Sequence, residues 1–242
     1  MKRTDVYSSP CDGNELNDLV VGVDPGIAKL GVAAVQVTND VKPRVRLLAR
    51  CSTSPWLTTA QRIAEFGDLA IISYRGLEPG TPIHYLLEKQ QQRGFNTFRQ
   101  DMDWVIGGFI GTQCNPVDDI QVVSATRKLT HAMVKYCGLD PNDPENKPPR
   151  GADARIKRKK LAVKAAAAYM RNTGQHEALA CFDAISPEAD KYDVADALLT
   201  ALVYFIPTES AAKRARDSGQ QEERPRKRAR KLKLPEVEHA KE

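Results

Sequence analysis

The stretch Leu19-Val20-Val21-Gly22-Val23-Asp24-Pro25-Gly26 decides how the rest of the chain is read. It is a short, β-branched apolar run that stops at Asp-Pro-Gly, a turn sequence. It therefore predicts a buried strand with a carboxylate at its carboxyl end. Working outward, Leu30 to Val37 predicts a second strand after a short turn, and Arg44 to Cys51 alternates well enough for a third. Three strands joined by short connections predict an antiparallel meander.

Beyond the meander, Thr58 to Tyr74 carries Ile63, Phe66, Leu69, Ala70 and Ile72 near helical spacing and predicts a helix. Ile83 to Glu88 and Ile120 to Val123 predict strands. Phe98 to Ile110, Thr126 to Tyr136, Ile156 to Met170 and Lys191 to Phe205 predict helices. Pro141, Pro144, Pro148 and Pro149 mark residues 138–153 as a loop insertion. Residues 1–17 are polar and predict a flexible arm; 18–206 form the folded domain; 207–242 lack apolar periodicity and predict a disordered basic tail. The order fits an α/β domain with a mixed five-stranded sheet flanked by helices.

The chain has 242 residues, 41% apolar and 28% charged, which suits a soluble globular core. No apolar run reaches about 18 residues, so no membrane partner is expected. No apolar segment follows Met1, so a secretory signal is not expected either. Cys11, Cys51, Cys114, Cys137 and Cys181 form no CxxC pair, which signals neither a zinc site nor a disulfide framework and suits a reduced intracellular compartment. The net charge of +5 is uneven: residues 207–242 hold eleven Lys/Arg against seven Asp/Glu, and a second basic cluster runs from Arg155 to Lys160. That distribution points to a polyanionic partner. Arg224 to Lys233, with seven Lys/Arg in ten, reads equally as a nuclear-import cluster or a DNA tether.

Four carboxylates sit where apolar elements end or turn inward. Asp24 closes the first strand, Glu88 closes the fourth, and Asp193 and Asp196 are spaced i, i+3 at the start of the last helix, on one face. A carboxylate at the edge of a buried element costs free energy unless it is paired, hydrogen-bonded or bound to metal. Converging oxygen ligands suit Mg²⁺, with Mn²⁺ able to substitute. Two such ions about 3.5–4 Å apart can activate a water and stabilise the leaving oxygen in phosphodiester cleavage. Each acid also has a bland reading. Asp-Pro-Gly is commonly just a turn, Asp193 and Asp196 would favour the helix dipole, and Glu88 beside Lys89 would make a surface ion pair. The joint placement is harder to explain that way.

Val21-Gly22-Val23-Asp24-Pro25-Gly26, followed by Leu30-Gly31-Val32-Ala33, resembles the first motif of RuvC-type Holliday-junction resolvases. Leu86-Leu87-Glu88-Lys89-Gln90-Gln91-Gln92-Arg93 is similar to their second motif, nearest its form in the mitochondrial and poxvirus-type branches. Asp193-Val194-Ala195-Asp196-Ala197-Leu198-Leu199 resembles the closing motif. The resemblance implies an RNase H-like fold, a homodimer, Mg²⁺, and four-way junction DNA as substrate. It makes Asp24, Glu88, Asp193 and Asp196 the metal-binding catalytic acids. It also aligns Thr126-Arg127-Lys128 and the segment from Lys160 with basic positions near the cut, where Lys160 would stabilise charge on the scissile phosphate. The proline-rich insertion, the polar arm and the basic tail depart from the family pattern.

Arg155, Lys157, Arg158, Lys159 and Lys160 crowd the start of a predicted helix, where cations oppose the macrodipole. Phosphate contact accounts for them, and so does a solvated charged face. Arg93, with Phe95 and Phe98, follows Glu88 closely; Arg93 is a DNA-contact candidate, while the two Phe suit a helix core better. Met102, Val105, Ile106 and Phe109 recur at helical spacing and read either as a dimer interface or as core. Three other functions stay open on the residues alone: another RNase H-like nuclease acting on RNA–DNA hybrids or in transposition, an actin-like ATPase, and a junction-binding protein without cleavage. The chain is short for the two domains an ATPase of that kind needs. The presence of all four acids argues against loss of cleavage.

Overall fold

The computed structural model describes residues 2–9, 18–24, 29–37, 42–52, 82–89, 119–148 and 154–206. Its strands are β1 (Lys2–Ser8), β2 (Leu19–Asp24), β3 (Lys29–Gln36), β4 (Arg44–Ser52), β5 (Ile83–Lys89) and β6 (Asp119–Ser124). They form one sheet in the order β1-β4-β3-β2-β5-β6. The apolar run that opens the argument, β2, lies at its centre. It pairs antiparallel with β3 and parallel with β5, and β6 continues parallel to β5. A strand paired on both edges and buried on both faces reads as a continuous apolar run, as β2 does. The fold is thus α/β with a mixed sheet flanked by helices.

The sheet has six described strands where five were expected. The sixth is β1, from the stretch read as part of a flexible arm: it pairs antiparallel with β4. Val6 and Tyr7 pack against the core, which anchors the strand. The alternation Val6-Tyr7 among polar residues is too short to mark a strand by pattern alone. Residues 10–17, the predicted helices Thr58–Tyr74 and Phe98–Ile110, and the tail 207–242 lie outside the described residues.

Four described helices follow: α1 (His131–Tyr136), α2 (Ala154–Asn172), α3 (His176–Asp183) and α4 (Glu188–Leu202). The single helix expected over Thr126–Tyr136 is two pieces, a 3₁₀ turn at Ala125–Leu129 and then α1. Thr130 is extended and its hydroxyl accepts from the Met133 amide, so it caps a new helix instead of continuing the old one. The apolar spacing runs across this break and hides it. The proline-rich segment is irregular as far as residue 148, with one 3₁₀ turn at Pro144–Asn146. The alanine-rich run that predicts α2 forms it, and Gly174 at φ +69° follows its end. Helix α3, eight residues long, was not expected. Among the described residues no helix is long and apolar enough to cross a membrane.

Helix α4 lies directly on the sheet, and two glycines allow it. A Cβ on Gly22 would sit 2.2 Å from the Ala197 carbonyl oxygen, and one on Gly31 would sit 2.1 Å from the Asp193 carbonyl oxygen. Both glycines serve close helix-to-strand approach; the positive-φ glycines are Gly138 and Gly174 instead. The core between helix and sheet joins Val20, Ala33, Val35, Leu86 and Val123 to Val194, Ala197, Leu198 and Ala201.

Candidate active site

Strand register brings the first two acids together. Val23 pairs with Leu87 in the parallel β2–β5 ladder, so Asp24 and Glu88 follow as neighbours at the carboxyl ends of adjacent strands, about 4.8 Å apart by ordinary strand spacing. Side chains alternate along a strand. Asp24 therefore shares the face of Gly22, and Glu88 the face of Leu86, both of which meet α4. From that helix come Asp193, whose carbonyl lies over Gly31, and Asp196, one turn on. Helix α4 begins at Glu188, so the pair lies in its second and third turns. The helix dipole acts within the first turn, where Glu188 and Asp190 stand, so it does not account for Asp193 and Asp196.

Two lysines complete the cluster. Strand β6 ends beside Glu88 and leads into the 3₁₀ turn. That turn aims Lys128 inward: its Nζ donates to Glu88 Oε2 at 2.6 Å and lies 2.9 Å from Asp196 Oδ1. Lys128 is 4% exposed. Lys159, on α2, reaches Asp193 Oδ1 at 3.5 Å and also lies over the Tyr192 ring.

The electrostatics show how much negative charge is gathered here. Burial and the charge of Asp24 push the Glu88 carboxyl up to about 9, against the pull of Lys128. A hydrogen bond with Asp24 adds to the rise at Glu88. Burial raises Asp193, with Lys159 opposing and Asp24 and Asp196 adding to the rise. Burial raises Asp196 as well, with Lys128 opposing. Burial alone would lower Lys128, but Asp196, Asp24 and Glu88 outweigh it and hold the ammonium above its ordinary value. Glu88, Asp193 and Asp196 are thus all raised, chiefly by burial, even with both lysines in place.

That donor set fits a hard divalent cation: four carboxylates, oxygen atoms only, with no His or Cys beside them among the described residues. Among the described residues no three His, Cys, Asp or Glu side chains already converge as a ligand group. Between Glu88 and Asp196 stands an ammonium instead.

The basic residues expected at the site divide. Lys128 is inside it, in contact with acids. Lys160, expected to act on the scissile phosphate, is exposed, and the α2 residue that reaches an acid is Lys159, one position earlier. The i, i+1 step turns a side chain by about 100° on a helix, and sequence spacing alone does not fix which neighbour faces in. Arg155 and Lys157 are exposed, and Arg127 and Arg158 are half-buried. Arg93 lies outside the described residues.

A second ion cluster was missed. Asp190, 3% exposed, binds Lys29 Nζ at 2.5 Å and the Arg50 guanidinium. Lys29 opens β3, and Arg50 pairs with Gly31 near the end of β4. Asp190 thus ties α4 to the strand ends one turn before Asp193. Its i−3 spacing from Asp193 was the available signal, and a first-turn position masked it. Asp190→Ala should lower unfolding stability by roughly 2–3 kcal/mol, below the figure for a fully buried pair because Lys29 is half-exposed. A urea midpoint equal to the parent's would show that the clamp carries nothing.

No family model matches the chain, and no curated protein does. Among solved structures, it is similar to Thermus thermophilus RuvC in complex with a Holliday-junction substrate, at 16% identity and TM-score 0.47, over 77% of this chain and 92% of that one. A second Thermus thermophilus RuvC structure aligns at 17% identity and TM-score 0.47, over 77% of this chain and 95% of that one. Neither likeness favours the mitochondrial or poxvirus branch that the Glu88 motif resembles.

Proposed function

We propose that this protein is a metal-dependent endonuclease that cuts four-way DNA junctions by phosphodiester hydrolysis. The observation that carries the reading is that Asp24 and Glu88, at adjacent strand ends, and Asp196, from α4, lie about buried Lys128, with Asp193 three residues before Asp196 on the same helix. Strongly raised acids beside a buried lysine in one cluster are candidates for a functional site.

Asp24, Glu88, Asp193 and Asp196 would hold Mg²⁺ or Mn²⁺. When bound, such an ion supplies Lewis acidity and a nucleophilic water at neutral pH. The chain's own residues do the rest. The rigid β2–β5 ladder and the α4 contact on Gly22 and Gly31 fix the acids relative to one another. Lys159 lies beside Asp193 as a cationic contact for a phosphate next to the acids. Exposed Arg155, Lys157 and Lys160 on α2, with Arg127, extend that contact along the DNA backbone. The basic run Arg224–Lys233 adds nonspecific phosphate contacts.

A four-way junction has near two-fold symmetry, and resolving it takes two opposed nicks. Each chain builds one such site, so the working unit is a two-fold homodimer. The test is incubation with a synthetic four-way junction, a matched duplex and an RNA–DNA hybrid, each with and without Mg²⁺. Paired, Mg²⁺-dependent nicks confined to the junction are expected, from a particle with twice the 26.8 kDa chain mass in light scattering. Cleavage of the hybrid alone would move the assignment to another RNase H-like nuclease. Junction binding without cleavage would make the chain a junction-binding protein.

A further inference from the structure

Lys128 occupies a position that a metal would need. Its ammonium lies 2.6 Å from Glu88 Oε2 and 2.9 Å from Asp196 Oδ1, the oxygens of two different elements that face each other across the site. It is 4% exposed, so water screens it little. Mg²⁺ binds carboxylate oxygens at about 2.0–2.1 Å, so an ion on these two oxygens would come within roughly 3–4 Å of Nζ. Two cations that close in a poorly screened site repel strongly. Lys159 already faces Asp193, so two ammonium groups balance part of the charge of the four carboxylates.

We propose that the Lys128 ammonium is a resident cation of the carboxylate cluster, and that a divalent ion loads by displacing it from Glu88 and Asp196. This rests on the metal-nuclease reading above. Loading is then a cation exchange, and the displaced ammonium becomes available to a DNA phosphate. Lys128 is a brake on metal binding as well as a possible phosphate contact.

The test is a Mn²⁺ titration of the full-length protein, with free ion followed by electron paramagnetic resonance, on the parent chain, Lys128→Met and Lys128→Arg. Lys128→Met should bind Mn²⁺ about tenfold more tightly or better, because one positive charge is gone, while Lys128→Arg stays at the parent value or below. Equal or weaker binding by Lys128→Met overturns the proposal and leaves the metal reading standing. Absence of Mn²⁺ binding in all three chains defeats both. Binding by Lys128→Met alone also overturns the exchange, because the parent's ammonium then blocks the ion instead of yielding to it. A second measurement needs no variant. Amine acylation of the parent chain, read by mass spectrometry, should label Lys128 more in Mg²⁺ than without it, with exposed Lys135 and Lys147 as unchanged references. Lys128 labelling that Mg²⁺ does not alter, in a chain that binds Mn²⁺, also overturns it.

Discussion

Asp24→Asn, Glu88→Gln, Asp193→Asn and Asp196→Asn should each slow junction cleavage by about a thousandfold or more, while junction affinity stays within about threefold of the parent. The two effects separate because Glu88 is buried and Asp24, Asp193 and Asp196 are half-buried between β2, β5 and α4, whereas the cations available to grip phosphate lie on the α2 ridge. Single-turnover rates and fluorescence anisotropy on one labelled junction measure both. Stability adds a control. Burial raises Glu88, Asp193 and Asp196, so the fold tolerates their neutral forms. A neutral amide at Glu88, Asp193 or Asp196 should therefore leave the urea midpoint nearly unchanged, and a rate lost at those three positions cannot be blamed on unfolding. Two or more variants cleaving near the parent rate would sink the site assignment.

The second large effect falls on residues with no side chain. Gly31→Ala places a methyl group 2.1 Å from the Asp193 carbonyl oxygen, and Gly22→Ala places one 2.2 Å from the Ala197 carbonyl oxygen. Neither obstacle is a flexible side-chain tip; both are helix backbone. Helix α4 must lift from the sheet by about 1 Å, which costs roughly 3 kcal/mol or more where a core is already full. The same lift acts differently on catalysis. Gly31 lies beneath Asp193 itself, and a misplacement of about 1 Å at a reacting geometry can cost 100-fold in rate. Gly22 lies a turn or more further along, beneath Ala197 and Ala201. Gly31→Ala should thus lose more rate per unit of stability than Gly22→Ala, measured by urea unfolding and single-turnover cleavage on the same preparations. Equal urea midpoints for both variants and the parent would show that the helix does not rest where described.

The central strands were legible because burial on two faces leaves a continuous apolar run, and β2, β3, β4 and β5 each end within two residues of expectation. The acids were legible because a carboxylate beside Val23 or Leu87 stands out against such a run. What escaped was set by tertiary contact. Strand β1 has too little alternation to show, and its evidence is its pairing with β4. Thr130 restarts a helix through a hydroxyl-to-amide bond that apolar spacing does not register. Asp190 reads as an ordinary first-turn acid until Lys29 and Arg50 are seen beside it. Lys128 reads as a surface phosphate contact until the 3₁₀ turn folds it under Asp196. At β1, Asp190 and Lys128 the local sequence offers a satisfactory explanation, and only a residue distant in the chain replaces it.

The position of α4 near the end of the chain also orders events in time. A ribosome that has passed residue 89 has already made both strand-borne acids, while Asp193 and Asp196 are a hundred residues away. Until the last helix emerges, the face of Val20, Ala33 and Leu86 has nothing from α4 to cover it, and the long-range contacts that complete the core must wait. The nascent chain therefore carries two of the four acids on an unfinished sheet. Closing the core and completing the acid set are one step, so the four carboxylates come together only as the domain finishes folding.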